Sequence, residues 1–125
     1  MKELTKAEDQ VMQILWKLEK AFVRDIIDQM DKPRPAYNTV STIIRILEKK
    51  GFVGYTAYGK SHQYYPLIDK SSYSDFALSG VITNYFNGSL SNLVSFFAKE
   101  HKLDVKDVDE IMSHVKEDLN TEKND

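Results

Sequence analysis

Cysteine is absent from the chain, which removes disulfides, thiolate catalysis and cysteine-ligated metals from consideration. Long hydrophobic runs are absent too, and nothing approaches the roughly 18 apolar residues of a membrane-spanning helix. The opening MKELTKAEDQ carries no apolar core of a signal peptide. A soluble, cytoplasmic protein without membrane insertion is expected. Histidine is scarce. His62, His101 and His114 show no metal-ligand spacing such as H-E-x-x-H, and no glycine-rich phosphate loop occurs. His62 reads as a solvated or packed strand residue, while His101 and His114 lie on polar, acidic segments. Asp and Glu are plentiful but fall on helix exteriors, where charge solvates. No cofactor, metal or catalytic residue is expected, and the chain does not read as an enzyme.

What is present is a globular composition, 42% hydrophobic and 29% charged over 125 residues. That suffices for one ordinary domain, or for a small domain with an oligomerisation element. The formal net charge of −2 conceals a split. Residues 1–70 hold 12 Lys/Arg against 9 Asp/Glu, and residues 71–125 hold 5 against 10. Within residues 32–70 the count is 7 against 2. Positive charge gathered in one segment is what a polyanion-binding surface requires.

That basic segment contains the stretch from Ala36 to Lys50, AYNTVSTIIRILEKK. Val40, Ile43, Ile44 and Leu47 recur at helical spacing and form one apolar face. Asn38, Thr42, Arg45 and Lys49 fall opposite it, with Tyr37 beside the start. Gly51 is placed to stop the helix, because glycine enters the left-handed cap conformation without steric cost. An ordinary solvated amphipathic helix has the same pattern, so the neighbouring segments decide. Before it, Thr5 and Glu8 form a capping box that starts a first helix near Lys6, and Trp16 beside its apolar face reads as packed. A second helix is expected over Val23–Met30, ended by the prolines of DKPRP. After Gly51, FVGYTAY and SHQYYPL flank Gly59-Lys60 as a hairpin over about 52–67, with Pro66 restricted to a strand end. Three helices and a hairpin with a lysine at its tip make a winged helix-turn-helix. The central helix, about 37–50, is its major-groove reader, and Lys60 reaches toward phosphate or the minor groove.

From Ser71 the character changes. Ser72 is placed to cap a helix through about Phe86, with Tyr73, Phe76, Ala77, Gly80, Val81 and Asn84 on one stripe, broken by Asn87-Gly88. Leu90, Leu93, Val94, Phe97 and Ala98 mark a second short helix. Asp104 caps a third, carrying Val105, Val108, Ile111, Met112, Val115 and Leu119. A frayed tail is expected over Asn120–Asp125. Three short helices cannot enclose a good core alone, and packing them on a second copy is the economical solution. A self-contained three-helix knob is the alternative. Phe97 shares the stripe of Leu93 and Val94, whereas Phe96 is turned away from it. The fold class is therefore mainly α with a small β-hairpin. A winged helix-turn-helix DNA-binding domain over 1–70 precedes a helical dimerisation domain over 71–125.

The chain resembles the penicillinase-repressor family of bacterial transcription regulators, the BlaI/MecI/CopY type, from about Leu4 to Leu119. The resemblance rests on LTKAEDQVMQILW, NTVSTIIRILEKKGFV, GKSHQYYPLI and FNGSLSNLV, in that order. It implies a homodimeric repressor on an inverted-repeat operator of double-stranded DNA. It places Asn38, Thr39, Ser41, Thr42 and Arg45 in the major groove, Lys60 on the wing, and the dimer contacts after about Ser71. Several relatives carry a basic residue where Ser41 and Ile46 stand, which implies different operator bases. The copper-responsive members' cysteine site has no counterpart here. In members that control β-lactam resistance, a membrane sensor-protease pathway leads to a cut before a phenylalanine. The matching place reads Ser95-Phe96 instead of Asn-Phe. An antibiotic- or stress-responsive circuit relieved through the C-terminal domain follows from the resemblance. The rival reading is a winged-helix module that binds protein without specific DNA binding.

Overall fold

Thr5 opens the first helix by satisfying the donors that a helix start leaves free. Its hydroxyl accepts from the Glu8 N–H at 3.2 Å, and Glu8 Oε1 accepts from the Thr5 N–H at 2.9 Å. In the computed structural model, which describes residues 1–124, α1 runs Lys6–Leu18 and buries Val11, Met12 and Leu15. Ala21 then pairs with Tyr64 through backbone bonds of 2.9 and 2.8 Å, so the connection joins the hairpin as a short third rung. Next comes α2, Val23–Asp28, which is shorter than the Val23–Met30 expected. Its last residues tighten into i→i+3 turns, Gln29 onto Ile26 and Met30 onto Ile27. Arg34 takes up free carbonyls at this end, donating from Nε to Met30 O and from Nη2 to Asp28 O, both at 3.2 Å.

The central helix, α3, spans Tyr37–Lys49 and buries Val40, Ile44 and Leu47. It ends in a Schellman motif: Phe52 N–H donates to Leu47 O at 2.9 Å and Gly51 N–H to Glu48 O at 3.0 Å. Gly51 sits at φ 83°, the left-handed conformation this motif needs. The chain then drops Phe52 into the core and enters the hairpin, β1 Val53–Tyr58 and β2 Ser61–Pro66. The strands are antiparallel in the register Val53↔Pro66 to Tyr58↔Ser61, with Gly59-Lys60 as the turn. Gly54 is opposite Tyr65, whose ring lies where a Cβ would stand, 3.0 Å from Cζ and Oη. A larger residue there would push the ring off the strand.

The chain divides into two compact units, Met1–Ala77 and the residues from Leu78 on. The sequence places the break after Lys70, but α4, Lys70–Tyr85, is anchored to the first unit by its opening turns. Tyr73 is buried, its hydroxyl accepts from Leu4 N–H at 2.9 Å, and its ring meets Trp16 and Phe52 at 6.1 and 5.8 Å. Trp16 donates from Nε1 to Ile68 O at 2.9 Å, so it is a packing residue, as expected. The helix is capped by Asp69 instead of Ser72. The Asp69 carboxylate accepts from Ser72 N–H at 2.7 Å, and bonds from the Ser72 backbone and side chain hold its pKa below the usual carboxylate value.

The second unit holds the rest of α4, α5 Leu90–Glu100 and α6 Val105–Asn124. Ser89 caps α5 through the Asn92 N–H at 3.1 Å, and Asp104 caps α6 in a reciprocal pair with Asp107. At 20 residues α6 is not short, and it continues through the segment expected to fray; Asp125 lies outside the described residues. No described residue of this unit is buried.

Glu8 is the buried charge of the first unit, 4% exposed, and Lys50 reaches it with Nζ 2.7 and 2.9 Å from its two oxygens. Burial alone would raise the Glu8 pKa. The hydrogen bonds from Lys50 and Thr5 and the lysine charge together outweigh it and hold the pKa below the usual 4.5. Lys50→Met strands that carboxylate and should lower stability by roughly 3 kcal/mol, which the double change Glu8→Gln with Lys50→Met should largely restore. Urea unfolding at neutral pH measures both. Since the folded pKa lies below the unfolded one, folded Glu8 stabilises above about pH 4.5 and loses that contribution as pH falls through its folded value. The wild-type stability should therefore fall faster in acid than that of the double variant.

Candidate nucleic-acid interface

Burial of Val40, Ile44 and Leu47 turns the opposite side of α3 outward. Tyr37, Asn38, Thr39, Thr42, Arg45 and Lys49 are exposed, and Ser41 is half-buried at the margin. Helix α3 has no side-chain cap at Ala36. The Thr42 hydroxyl donates to Asn38 O at 2.8 Å. It therefore has lone pairs and a methyl group left to offer a base, but no free proton.

Alternation along the hairpin supplies the facing wall. Val53 and Tyr64 are buried, so Tyr55 and His62 share their side of the hairpin. The Tyr55 and His62 rings stack with centroids 4.1 Å apart and an interplanar angle of 8°, and Tyr64 lies 5.9 Å from Tyr55. Between helix and hairpin runs a groove of about 570 Å³. Tyr37, Ser41, Thr42, Arg45 and Lys49 line it from the helix, and Lys60 and His62 from the hairpin. Asn38 and Thr39 stand outside it in the first turn of the helix. Glu48 brings one carboxylate to the groove. Burial, followed by the Glu48 charge, pushes the Tyr64 phenol pKa up, while Arg45 works against them. Three cations against one carboxylate, with hydroxyls and ring edges between them, suit a phosphodiester strand.

Several residues of this surface were not singled out from the sequence. His62 reads from the sequence as a solvated or packed strand residue, Ile46 enters only through the resemblance, and Tyr55 and Glu48 have no part in that reading. The strand period carried the signal for Tyr55 and His62, since Val53 and Tyr64 face inward. Arg24, whose guanidinium carbon lies 5.7 Å from the centroid of the Tyr37 ring, had no signal in α2 itself.

In the second unit Val81, Val94, Phe97, Ile111, Met112 and Val115 are exposed, while Leu93 and Val108 are half-buried. Phe76 and Ala77 are partly buried against the core of the first unit. Ser95 is exposed, and the Phe96 ring, expected to turn away, meets Phe86 at 5.4 Å. Phe97 stacks on His101 at 4.1 Å. Among the described residues no group of three or more His, Asp and Glu side chains could hold a metal ion. No helix among the described residues is long and apolar enough to cross a membrane.

The chain is 25% identical over 122 residues to the penicillinase repressor of Bacillus licheniformis, covering 97% of this chain and 95% of that one. It is 29% identical over 110 residues to the methicillin resistance regulatory protein MecI of Mammaliicoccus sciuri, covering 87% and 89%. The solution structure of the DNA-binding domain of the repressor BlaI superposes with a TM-score of 0.50 at 30% identity, over 58% of this chain and 94% of that domain. Residues 4–117 match the penicillinase repressor family from the α1 cap to the middle of α6. The chain belongs to the penicillinase repressor family.

Proposed function

We propose that this chain is a dimeric transcriptional repressor, with α3 in the major groove of an inverted-repeat operator and the hairpin on the adjoining backbone. Membership of a repressor family makes it a regulator and not an enzyme. The observation that carries the reading is the single groove lined by Arg45, Lys49 and Lys60, which joins helix and wing into one basic face. The early residues of α3 meet base edges, as the N-terminal end of a recognition helix does. Asn38 suits adenine and Arg45 suits guanine through paired hydrogen bonds, while Lys49 and Lys60 neutralise phosphates. Tyr37, Thr39 and Ser41 border that contact. Asn38→Ala and Arg45→Ala should each cost about 1–3 kcal/mol on a duplex selected in vitro and little on random duplex. Thr42→Val should cost less, because its proton is already engaged. Fluorescence titrations against both duplexes measure this, and equal losses on the two would reduce these residues to backbone contacts.

The second unit serves as the dimerisation domain in this reading. The exposed apolar side chains of α5 and α6, Val94, Phe97, Ile111, Met112 and Val115 among them, are supplied with a cover by a second copy. Leu93, Val108 and Val81 extend that surface. A fragment ending at Ala77 keeps Tyr73 and the core. It should fold, sediment as a monomer and lose most of its affinity for the selected duplex, because the second half-site no longer adds its effective concentration. A fragment ending at Lys70 lacks the Tyr73 anchor and should melt at a lower temperature. Tight binding by the Ala77 fragment would overturn the role given to the second unit.

Relief of repression acts through the same unit in an antibiotic- or stress-responsive circuit, by weakening the dimer through mass action. A cut between Ser95 and Phe96, downstream of a membrane sensor-protease, would separate α6 from the rest. Fragment masses from induced cells should then show the break at that bond. Full-length repressor released from DNA would exclude it.

A further inference from the structure

Arg24 is the only Lys or Arg of α2, whose other charges are Asp25 and Asp28. Asp25 is engaged in accepting from the Phe22 N–H at 2.9 Å. Arg24 is exposed, and no described carboxylate lies within ion-pair distance of it. Instead its guanidinium carbon is 5.7 Å from the centroid of the ring of Tyr37, the first residue of α3. Its neighbour Val23 lines the helix–hairpin groove together with Tyr37. An arginine in this state is not spending its charge within the protein. A guanidinium held near an aromatic ring loses conformational freedom in advance and keeps its N–H groups for a planar, bidentate oxyanion partner. Its place is the flank of the helix end that meets base edges, where the helix preceding a recognition helix crosses the phosphate backbone.

We propose that Arg24, braced by the ring of Tyr37, is a phosphate contact of the DNA-binding face and clamps the backbone beside the start of α3. The inference rests on the DNA-binding reading given above and extends it to α2. The contact is sequence-independent, so it adds affinity and fixes register without choosing bases. Tyr37 acts here as a positioning residue.

The test uses the full chain and a random-sequence duplex, with affinity followed across a salt series. Arg24→Ala should flatten the plot of log affinity against log salt by about one unit per protomer, and Arg24→Lys should keep the slope. The loss on an in vitro selected duplex should equal the loss on the random one. Tyr37→Leu should weaken binding more in the wild-type background than in the Arg24→Ala background, the difference being the share that acts through Arg24. Thermal melting of each variant checks that the fold is retained. An unchanged slope in Arg24→Ala, with Lys60→Ala flattening it as a phosphate contact should, overturns this proposal and leaves the DNA-binding reading standing. Additive losses from Arg24→Ala and Tyr37→Leu overturn the bracing. Failure of the wild-type chain to bind either duplex overturns both readings together.

Discussion

The carboxylate of Glu8 ties the first turn of one helix to the last turn of another. One oxygen accepts from the Thr5 N–H and both lie within reach of Lys50 Nζ. A buried ion pair adds little net stability over well-packed apolar residues, because both ions give up hydration. What it adds here is geometry. Lys50 immediately follows α3 and precedes Gly51, so the pair fixes where α3 ends against α1. The Schellman turn fixes where the chain goes next, and Phe52 and Val53 are then carried into the core. The hairpin starts at a place this anchor sets. The breadth of the groove between α3 and the wing follows from that placement.

The middle of the hairpin is held by different means. Ala21 pairs with Tyr64 on the backbone, Tyr64 and Tyr55 face each other on one rung, and His62, nearer the tip, stacks on Tyr55. A hairpin of two strands is marginal in water by itself. The third rung and the stacked rings tie this one to the core through Val53 and Tyr64, the buried residues of its strands, leaving the Gly59-Lys60 turn to project. Lys60 is thus a cation on a braced arm, and Arg24 is one on a braced ring. Both lose less freedom on meeting a phosphate than a lysine on an unsupported loop.

The first unit was legible because its signals are local and agree with one another. Thr5 and Glu8, the period of Val40, Ile44 and Leu47, and Gly51 before an aromatic strand each point to one structure. Errors arose where a competing partner lay nearby or far off in sequence. Asp69 displaced Ser72 as a cap because its carboxylate accepts from the Ser72 N–H, which starts the helix at Lys70 and leaves Ser72 inside its first turn. Helix α2 ends early where Gln29 and Met30 turn onto Ile26 and Ile27, and Arg34 takes the carbonyls of Asp28 and Met30 there. The break between units falls after Ala77 because Tyr73 reaches back to Leu4, a contact across 69 residues that no window of sequence contains. Of the groove, the helix wall was visible from its polar stripe. The wing wall was read only as far as Lys60, since the stacking of Tyr55 on His62 depends on strand register.

The limits of one recognition helix connect the two units. A good base contact discriminates by about 1–3 kcal/mol. On the proposed reading α3 offers Asn38, Arg45 and Thr42, the last without a free donor. A single protomer therefore stays near or below the roughly 4–10 kcal/mol that separates specific from non-specific binding in working regulators. The cations around the groove do not close that gap, because phosphate neutralisation strengthens every sequence alike. Presenting the same three side chains twice would bring selectivity well inside that range. The second unit has no buried residue among those described, and its helices expose phenylalanine, methionine and branched aliphatic side chains. Its apolar surface lacks a cover, and the DNA-binding face lacks a second copy of itself. Pairing of two chains through that surface meets both needs at once.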